Sequence, residues 1–581
     1  MAEIKQLSSA AVALMCLSAW LAQAEAQTGI PAAPAPSLGI ATLCVTRPDT
    51  AGVPATLADW AAGAQLFEGL GDFHRAITTT SPDAQHYFDQ GMRLLWAFNH
   101  DESTRSFAKA AVLDPQCAMC FWGVALTVGP NYNLPMMAAA RARIAREALN
   151  QASALAPRTT PVEQALVAAL GARYPDAKPL DPSNEAPILI AYARSMQDVA
   201  RRYPGDSDVQ TLTAEALMNV NAWKLWALDG APAAGTLEIA GRLQDVLAKD
   251  PQHPGANHYY IHTMEASQHP EAAVASAERL PGMMPAAGHL EHMPAHIMQR
   301  VGRYADAAQA NRNGAAADLA YFAKTKPLDY YAMYSAHNYQ FLAFATAMQG
   351  RRADTLDAVR KSRAIISDDL LTAMPGADWY VAETYSAMVR FGMWQEMLAE
   401  PAPNPQLTGL IVGYRYGRTN ALAAMGRLEE ARVELAELEK RAAAATPDDG
   451  AGLSPAPDVF AVAVLVAKAR LAAAEARSDE AIALLTEATT KEDALAYDEP
   501  SDWFFPTRHL LGAALLRAGR AQDAEAVYHE DLRRHPENGW ALYGLAQSLT
   551  AQRKDADAGK WRQQFDAAWK DADIALTASA F

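Results

Sequence analysis

Residues 536–545, Pro536-Glu537-Asn538-Gly539-Trp540-Ala541-Leu542-Tyr543-Gly544-Leu545, are the stretch of the sequence that decides the fold. A proline stop precedes small and large apolar residues at helical spacing, which predicts a helix that starts beside Pro536. The same punctuation recurs along the chain, where Asp-Pro or His-Pro ends one helix and Gly-Arg precedes another. These signals are Asp114-Pro115, Asp250-Pro251, His535-Pro536, Gly302-Arg303, Gly350-Arg351, Gly426-Arg427 and Gly519-Arg520.

The recurrence of these signals, at intervals in the thirties to forties, predicts a repeat made of helical hairpins. The pattern resembles the tetratricopeptide repeat (TPR), whose unit is about 34 residues, and residues 536–545 are its most typical copy. One hairpin cannot bury its apolar face alone, so neighbouring hairpins stack into a superhelix with a concave groove. We therefore expect an all-α, right-handed superhelical solenoid of TPR-like hairpins, several of them degenerate.

Composition restricts the class of protein. The 581 residues are 50% hydrophobic and 20% charged, with a formal net charge of −16. This length exceeds one ordinary core, and the composition excludes a mainly disordered or multi-span membrane protein. Because phosphate neutralisation needs a basic surface, we expect no nucleic-acid partner. Cys117 and Cys120 leave three interpretations open: a structural disulfide (with each other or with Cys44), buried thiols, or a redox or copper-relay pair.

The beginning of the chain has the pattern of an export signal. Lys5 precedes an apolar stretch from Ala10 to Leu21, and Ala24-Glu25-Ala26 fits a small-x-small cleavage site. The apolar stretch is too short for a permanent membrane anchor, so we expect a periplasmic or secreted protein. A buried or amphipathic first helix is the alternative. The predicted divisions are a signal peptide (1–26), a flexible lead-in (27–58), degenerate hairpins (59–250), His-rich hairpins (251–365) and C-terminal hairpins (366–581).

Six of the 14 histidines form the most specific pattern in the sequence. His258 and His262 are four residues apart and share one helix face, and His292 and His296 repeat this spacing one repeat unit later. Equivalent positions of stacked units lie side by side, so we expect these four imidazoles to meet on adjacent helices. If the TPR pattern carries over, two further groove positions are occupied by His289 and His337.

Imidazoles in this number predict a transition-metal site in the groove. The expected ligands are His258, His262, His289, His292, His296 and His337. Glu265 also falls at a groove position and is expected to be a ligand, an orienting residue or a catalytic base. Pro294 is expected to kink the helix between His292 and His296. Secondary candidates near the groove are His74, His100, Tyr259 and Tyr334. A metal-free polar pocket for an anionic or aromatic ligand is the alternative.

The residues around the histidines favour copper before zinc as the cofactor. Imidazole suits several transition metals, but thioethers favour copper(I), and five methionines lie in this region. The same methionines are also explained as core or groove filling. Tyr259 occupies the place of the glutamate in the H-E-x-x-H motif, which argues against a zinc peptidase of that type. The methionines are Met264, Met283, Met284, Met293 and Met298.

Four motifs make the chain resemble a family of secreted bacterial TPR proteins with a His-rich groove. They are FNHDE at 98–102, HYYIH at 258–262, GHxxHMPxH at 288–296 and YDEP at 497–500. This family has no settled general activity, so the resemblance implies the fold and the groove rather than a reaction. We expect a copper-dependent oxidoreductase with a small-molecule or peptide ligand in the groove. A zinc-dependent hydrolase, a non-catalytic scaffold or peptide-binding adaptor with a protein partner, and a periplasmic metal carrier are the alternatives.

Overall fold

The structure, a computed structural model, describes residues 53–135, 137–181, 183–325 and 331–581. The predicted signal peptide, residues 1–26, and residues 27–52 of the predicted lead-in lie outside the described residues. In the part of the chain that is described, we find no helix with the length and apolar character needed to cross a bilayer.

Helices make up most of the described chain. The N-terminal and His-rich hairpins contain α1 (Leu57–Ala62), α2 (Pro82–Trp96), α3 (His100–Leu113), α4 (Ala118–Thr127), α5 (Ala139–Leu155), α6 (Pro161–Leu170), α7 (Ala186–Arg202), α8 (Ser207–Met218), α9 (Thr236–Lys249), α10 (Pro254–Met264), α11 (Val274–Arg279), α12 (Gly288–His292), α13 (Pro294–Arg300), α14 (Tyr304–Phe322), α15 (Tyr331–Met348) and α16 (Arg352–Ile365).

The C-terminal hairpins continue this arrangement. They contain α17 (Asp368–Ala373), α18 (Asp378–Val381), α19 (Glu383–Arg390), α20 (Trp394–Ala399), α21 (Thr408–Ala424), α22 (Leu428–Ala442), α23 (Ala456–Ala474), α24 (Ser478–Glu492), α25 (Thr507–Arg517), α26 (Ala521–Arg534), α27 (Gly539–Ala551) and α28 (Asp555–Ala568). Short 3₁₀ turns occur at Ala156–Arg158, Asn219–Asn221 and Pro270–Ala273, and β1 (Gly450–Ala451) pairs antiparallel with β2 (Ser454–Pro455).

The predicted punctuation coincides with the helix boundaries. Helices α3, α9 and α26 end directly before Asp114, Asp250 and His535. Each helix that follows a Gly-Arg pair begins two residues after the glycine. Gly302 has φ of 79°, in the left-handed region that favours glycine, because the chain must reverse there between two packed helices. The turn signals therefore encode the hairpins locally.

Stacked hairpins form the architecture. Consecutive helices pack in pairs, as α2 with α3 and α23 with α24, and alternate helices such as α21 and α23 also contact each other. The Phe107 ring of α3 packs between two helices that each carry a glycine at the contact, Gly91 on α2 and Gly123 on α4. A Cβ at Gly91 would lie 2.6 Å from this ring, and a Cβ at Gly123 would lie 2.4 Å from it. The same arrangement recurs at Gly512, Tyr528 and Gly544. This confirms the predicted all-α solenoid of helical hairpins.

The array folds back on itself instead of remaining an open superhelix. Tyr321 Oη donates a hydrogen bond to Glu102 at 3.0 Å, which joins the N-terminal hairpins to the centre. Trp540 Nε1 donates to the carbonyl of Ala347 at 2.8 Å, which joins the C-terminal hairpins to it. Both ends therefore pack onto the central helices. The two largest apolar clusters, one of mainly N-terminal and central residues and one of mainly C-terminal residues, form most of the core. The predicted concave groove is closed around the histidines, five of which are buried.

Candidate metal centre

Helix α10 carries the first two histidines. His253 caps its N-terminus, because its Nδ1 accepts a hydrogen bond from the backbone N–H of Ala256 at 3.1 Å, and Pro254 fits the first helical position. The four-residue spacing then places His258 and His262 on one face, and both side chains are buried.

A break at Pro294 distributes the next three histidines over two helices. Helix α12 ends at His292 and α13 begins at Pro294, as the expected kink requires. His289 and His292 therefore lie on α12 and His296 on α13, all of them buried. His337 comes from α15 and is partly exposed.

The six predicted ligands converge as two groups of three imidazoles. In each group, one ring nitrogen per histidine lies within 4.8 Å of the others. We call His258, His262 and His289 the first histidine group, and His292, His296 and His337 the second histidine group. The groups are neighbours: ring centroids are 5.7 Å apart for His262 and His296 and 5.8 Å apart for His289 and His292.

Hydrogen bonds at Nδ1 orient the first histidine group. His258 Nδ1 donates to the carbonyl of Trp96 at 2.6 Å, and His262 Nδ1 donates to Glu265 Oε1 at 3.0 Å. Both partners are acceptors, so a neutral ring carries its lone pair on Nε2. The Nε2 atoms of His258, His262 and His289 are all buried and have no hydrogen-bond partner among the residues that the structure describes.

Amide oxygens orient two members of the second histidine group in the same way. His292 Nδ1 donates to Asn311 Oδ1 at 2.6 Å, and Asn311 is itself fixed because its Nδ2 donates to the carbonyl of Ala307 at 2.7 Å. His337 Nδ1 donates to Gln340 Oε1 at 3.0 Å. Oriented imidazoles of this kind are typical of metal ligands, whose second nitrogen is held by an oxygen acceptor.

His296 differs from the other five histidines in its charge. Its Nδ1 donates to Glu499 Oε2 at 3.1 Å and lies 2.8 Å from Glu265 Oε2. Burial lowers the pKa of His296, but the two carboxylates outweigh burial and raise the pKa to about 10. In the metal-free protein at neutral pH this ring is therefore an imidazolium. Its Nε2–H donates to His292 Nε2 at 2.9 Å.

The remaining imidazoles are neutral at pH 7. Burial lowers the pKa of His258, His289 and His292 well below its ordinary value, and neighbouring histidines lower it further. Burial also lowers the pKa of His262, and it lowers that of His337 to about 4. Neutral imidazole is the form that binds a metal ion, so five of the six rings need lose no proton to act as ligands.

Glu265 lies behind both groups. Its two oxygens contact Nδ1 of His262 and Nδ1 of His296, one imidazole from each group. Burial raises the pKa of Glu265, but His296 and His262 outweigh burial and lower it to about 2. Of the three roles that the sequence predicted, these contacts match the orienting one.

Glu499 also lies in this centre, although the sequence did not predict it as a site residue. It follows His296 by 203 residues and reaches it only because the C-terminal hairpins fold back. Arg300 holds this loop: its guanidinium donates to Tyr497 Oη at 3.2 Å and to the carbonyls of Ser267 and Glu265. The YDEP motif was the one signal in the sequence that marked Glu499.

Aromatic rings pack against both histidine groups. Phe98 lies with its ring centroid 4.5 Å from that of His258, and it stacks on His262 and His289 at 5.6 Å. Phe341 lies 4.6 Å from His296 on the opposite side. Electrostatic and coordination bonds are stronger in such a site than in water.

The secondary candidates lie around the centre. Tyr334 packs edge-on against His289 at 5.1 Å, and Tyr259 is buried against Trp96 and Phe98. His74 contacts Asp89 at 2.8 Å near the surface, and His100 is buried at the start of α3. Among the described residues, neither His74 nor His100 belongs to a group with metal-ligand spacing. The methionines fill the apolar core, as Met264, Met284, Met293 and Met298 are all members of it.

Comparison with known proteins yields structural likenesses alone. No known protein family and no curated protein matches the chain. The human IFIT1 dimer with m7Gppp-AAAA aligns with a TM-score of 0.33 at 11% identity, over 85% of this chain and 96% of that chain. Naa15/Naa10 bound to HypK-THB aligns with a TM-score of 0.22 at 13% identity, over 84% and 70%. Values this low carry no argument about ligand, partner or reaction, and the prediction of no nucleic-acid partner stays a prediction.

Proposed function

We propose that this chain is an exported TPR-type protein that binds a transition metal through its two histidine groups. The observation that carries the proposal is the set of three buried Nε2 atoms in the first histidine group, which have no hydrogen-bond partner in the described part of the chain. A buried polar atom without a partner costs about 1–3 kcal/mol, so three together are a substantial penalty in the metal-free protein. A cation bound between them removes that penalty.

The donor set favours copper before zinc. All the proposed ligand atoms are imidazole nitrogens, and the affinity of nitrogen sites for divalent metals is highest at copper. The disulfide between Cys117 and Cys120 fits an oxidising compartment, which supports export. It is also the first of the interpretations that the sequence left open for these cysteines, and Cys44 lies outside the described residues.

The reaction that we propose is oxidation of a small organic substrate with dioxygen as electron acceptor. A bound copper ion would supply one-electron redox chemistry, and zinc in its place would activate water for hydrolysis. The chain itself supplies oriented imidazoles, a largely buried enclosure and the carboxylate of Glu265 as positioning group. Because aromatic rings and the 497–500 loop enclose the centre, a small molecule fits the proposal better than a peptide.

A non-catalytic role is the second candidate. Stacked hairpins of this kind commonly bind partner proteins, and a fold alone does not define a reaction. A metal carrier would keep the same centre without turnover. Oxygen consumption by the metal-loaded protein, with a panel of small organic reductants, separates an oxidase from a carrier or scaffold.

Metal content of the purified protein tests the proposal. We expect bound copper in the wild type and its loss in the double variant His258→Ala/His292→Ala. The matched control is His86→Ala/His269→Ala, because both of these histidines are exposed. Circular dichroism verifies folding, and His258→Gln/His292→Gln, which keeps the side-chain volume, replaces the alanine variant if that one unfolds. Equal metal content in the site and control variants, or no binding at all, would refute the proposal.

A further inference from the structure

We propose that the metal centre is dinuclear, with one ion on each histidine group. The inference rests on the proposed metal-binding function and specifies the number and place of the ions. It is carried by the division of six imidazoles into two sets of three, each with its own oriented donor atoms.

Geometry argues against one ion shared by all six histidines. An imidazole nitrogen binds a transition metal at about 2.0–2.1 Å, so two nitrogens on one ion lie at most about 4 Å apart. Within each histidine group the three donor nitrogens already lie within 4.8 Å of one another. At this spacing the six histidines form two separate sets of three and not one set of six. Small side-chain adjustments therefore bring three nitrogens onto one ion, and a second ion is needed for the other three.

Each histidine group supplies the three protein ligands of a metal site that keeps a coordination position free. Three imidazoles leave at least one coordination position free for water or substrate. In the second histidine group, the 2.9 Å between Nε2 of His292 and Nε2 of His296 matches two ligands about 90° apart on one ion. Loss of the proton that these two nitrogens share frees both lone pairs for that ion.

A third set of donors, Glu265, His296 and Glu499, also lies within 4.8 Å. Its carboxylates approach Nδ1 of His296, whereas Nε2 of the same ring faces His292. An ion between the carboxylates would break the contacts that orient His296 and His262. We therefore assign these carboxylates to positioning and the two ions to the Nε2 side.

The two ions are expected to interact. The histidine groups are adjacent, with His262 and His296 at 5.7 Å between ring centroids, and both of these rings contact the single carboxylate of Glu265. Two copper(II) ions this close interact through their magnetic dipoles, which broadens their electron paramagnetic resonance signal and gives a half-field transition that a single ion does not show.

The experiment combines metal counting with electron paramagnetic resonance of protein loaded with copper(II) alone, and repeats the counting with zinc(II). The wild type should bind two ions whose copper(II) signal is broadened and accompanied by a half-field transition. His258→Ala, in the first histidine group, and His337→Ala, in the second, should each bind one ion with the narrow signal of isolated copper(II) and no half-field transition. His337→Gln and circular dichroism distinguish loss of a ligand from loss of folding.

Each other outcome has a definite meaning. A single wild-type ion that either substitution removes would overturn the dinuclear centre and leave the proposed metal-binding function intact. No bound ion in the wild type would overturn both. Two ions that show neither dipolar broadening nor a half-field transition would contradict the neighbouring arrangement. Two ions that survive both histidine substitutions, with one of them lost in Glu499→Gln, would place that ion among the carboxylates and overturn the assignment.

Discussion

Glu265→Gln is the substitution that tests the electrostatics of the centre most sharply. The glutamine keeps the shape of the side chain but removes the negative charge that contacts His262 and His296, all three being at most 1% exposed. Removal of one partner of a buried ion pair costs about 3–5 kcal/mol. Glu499 still contacts His296 at 3.1 Å, so we expect the lower end, about 3 kcal/mol, in the metal-free protein.

The pH dependence of this loss follows from the two pKa shifts. The pKa of His296 is raised to about 10, so its contribution is complete below about 6.5 and disappears as the pH rises through 10. The pKa of Glu265 is lowered to about 2, so its contribution is complete above about 4.5 and disappears as the pH falls through 2. The difference between wild type and variant should therefore be largest between pH 4.5 and 6.5 and smaller at pH 10.

Urea unfolding of chelator-treated protein at pH 6 and at pH 10, followed by tryptophan fluorescence, measures this difference. Glu271→Gln is the matched control, because Glu271 contacts His269 at 3.1 Å on the surface, where both side chains are exposed. An exposed pair contributes about 0–1 kcal/mol. In Glu265→Gln, the loss of the orienting carboxylate should also weaken metal binding about 10–100-fold. If Glu265→Gln is no more destabilising than Glu271→Gln at pH 6, the charge assignment is wrong.

Three further substitutions test the surroundings of the centre. Phe98→Ala should lower stability by about 3–5 kcal/mol in thermal or urea unfolding, since it removes a ring buried against three imidazoles; a loss below about 1 kcal/mol would contradict the packing. Cys117→Ser/Cys120→Ser should cost about 2 kcal/mol and leave copper content unchanged, whereas loss of copper would favour the relay interpretation. Arg300→Met should release the 497–500 loop and speed both its proteolysis and metal dissociation; unchanged rates of both would show that Arg300 does not hold it.

Local patterns explain the part of the fold that was predictable. A glycine before arginine, or a proline after aspartate or histidine, affects only the neighbouring turn of the chain. The ends of α3, α9 and α26 could therefore be predicted directly from the sequence. The 34-residue offset between His258 and His292 indicates equivalent positions of stacked units, and the structure places all six predicted histidines in two neighbouring groups.

Long-range closure explains what the sequence did not reveal. Glu499 and the carbonyl of Trp96 reach the histidines across 203 and 162 residues, through contacts that no local period encodes. The sequence also did not indicate the division into two histidine groups, because the repeat aligns His258 with His292 and His262 with His296. The break at Pro294 instead leaves His289 with the first histidine group.

Anomalous diffraction from crystals of the copper-loaded protein, at the copper edge, tests the central claim most directly. Convergent imidazoles predict anomalous peaks within bonding reach of Nε2 of the first histidine group and of the second histidine group. Peaks confined to exposed histidines such as His86 or His269, with none among the buried rings, would contradict it.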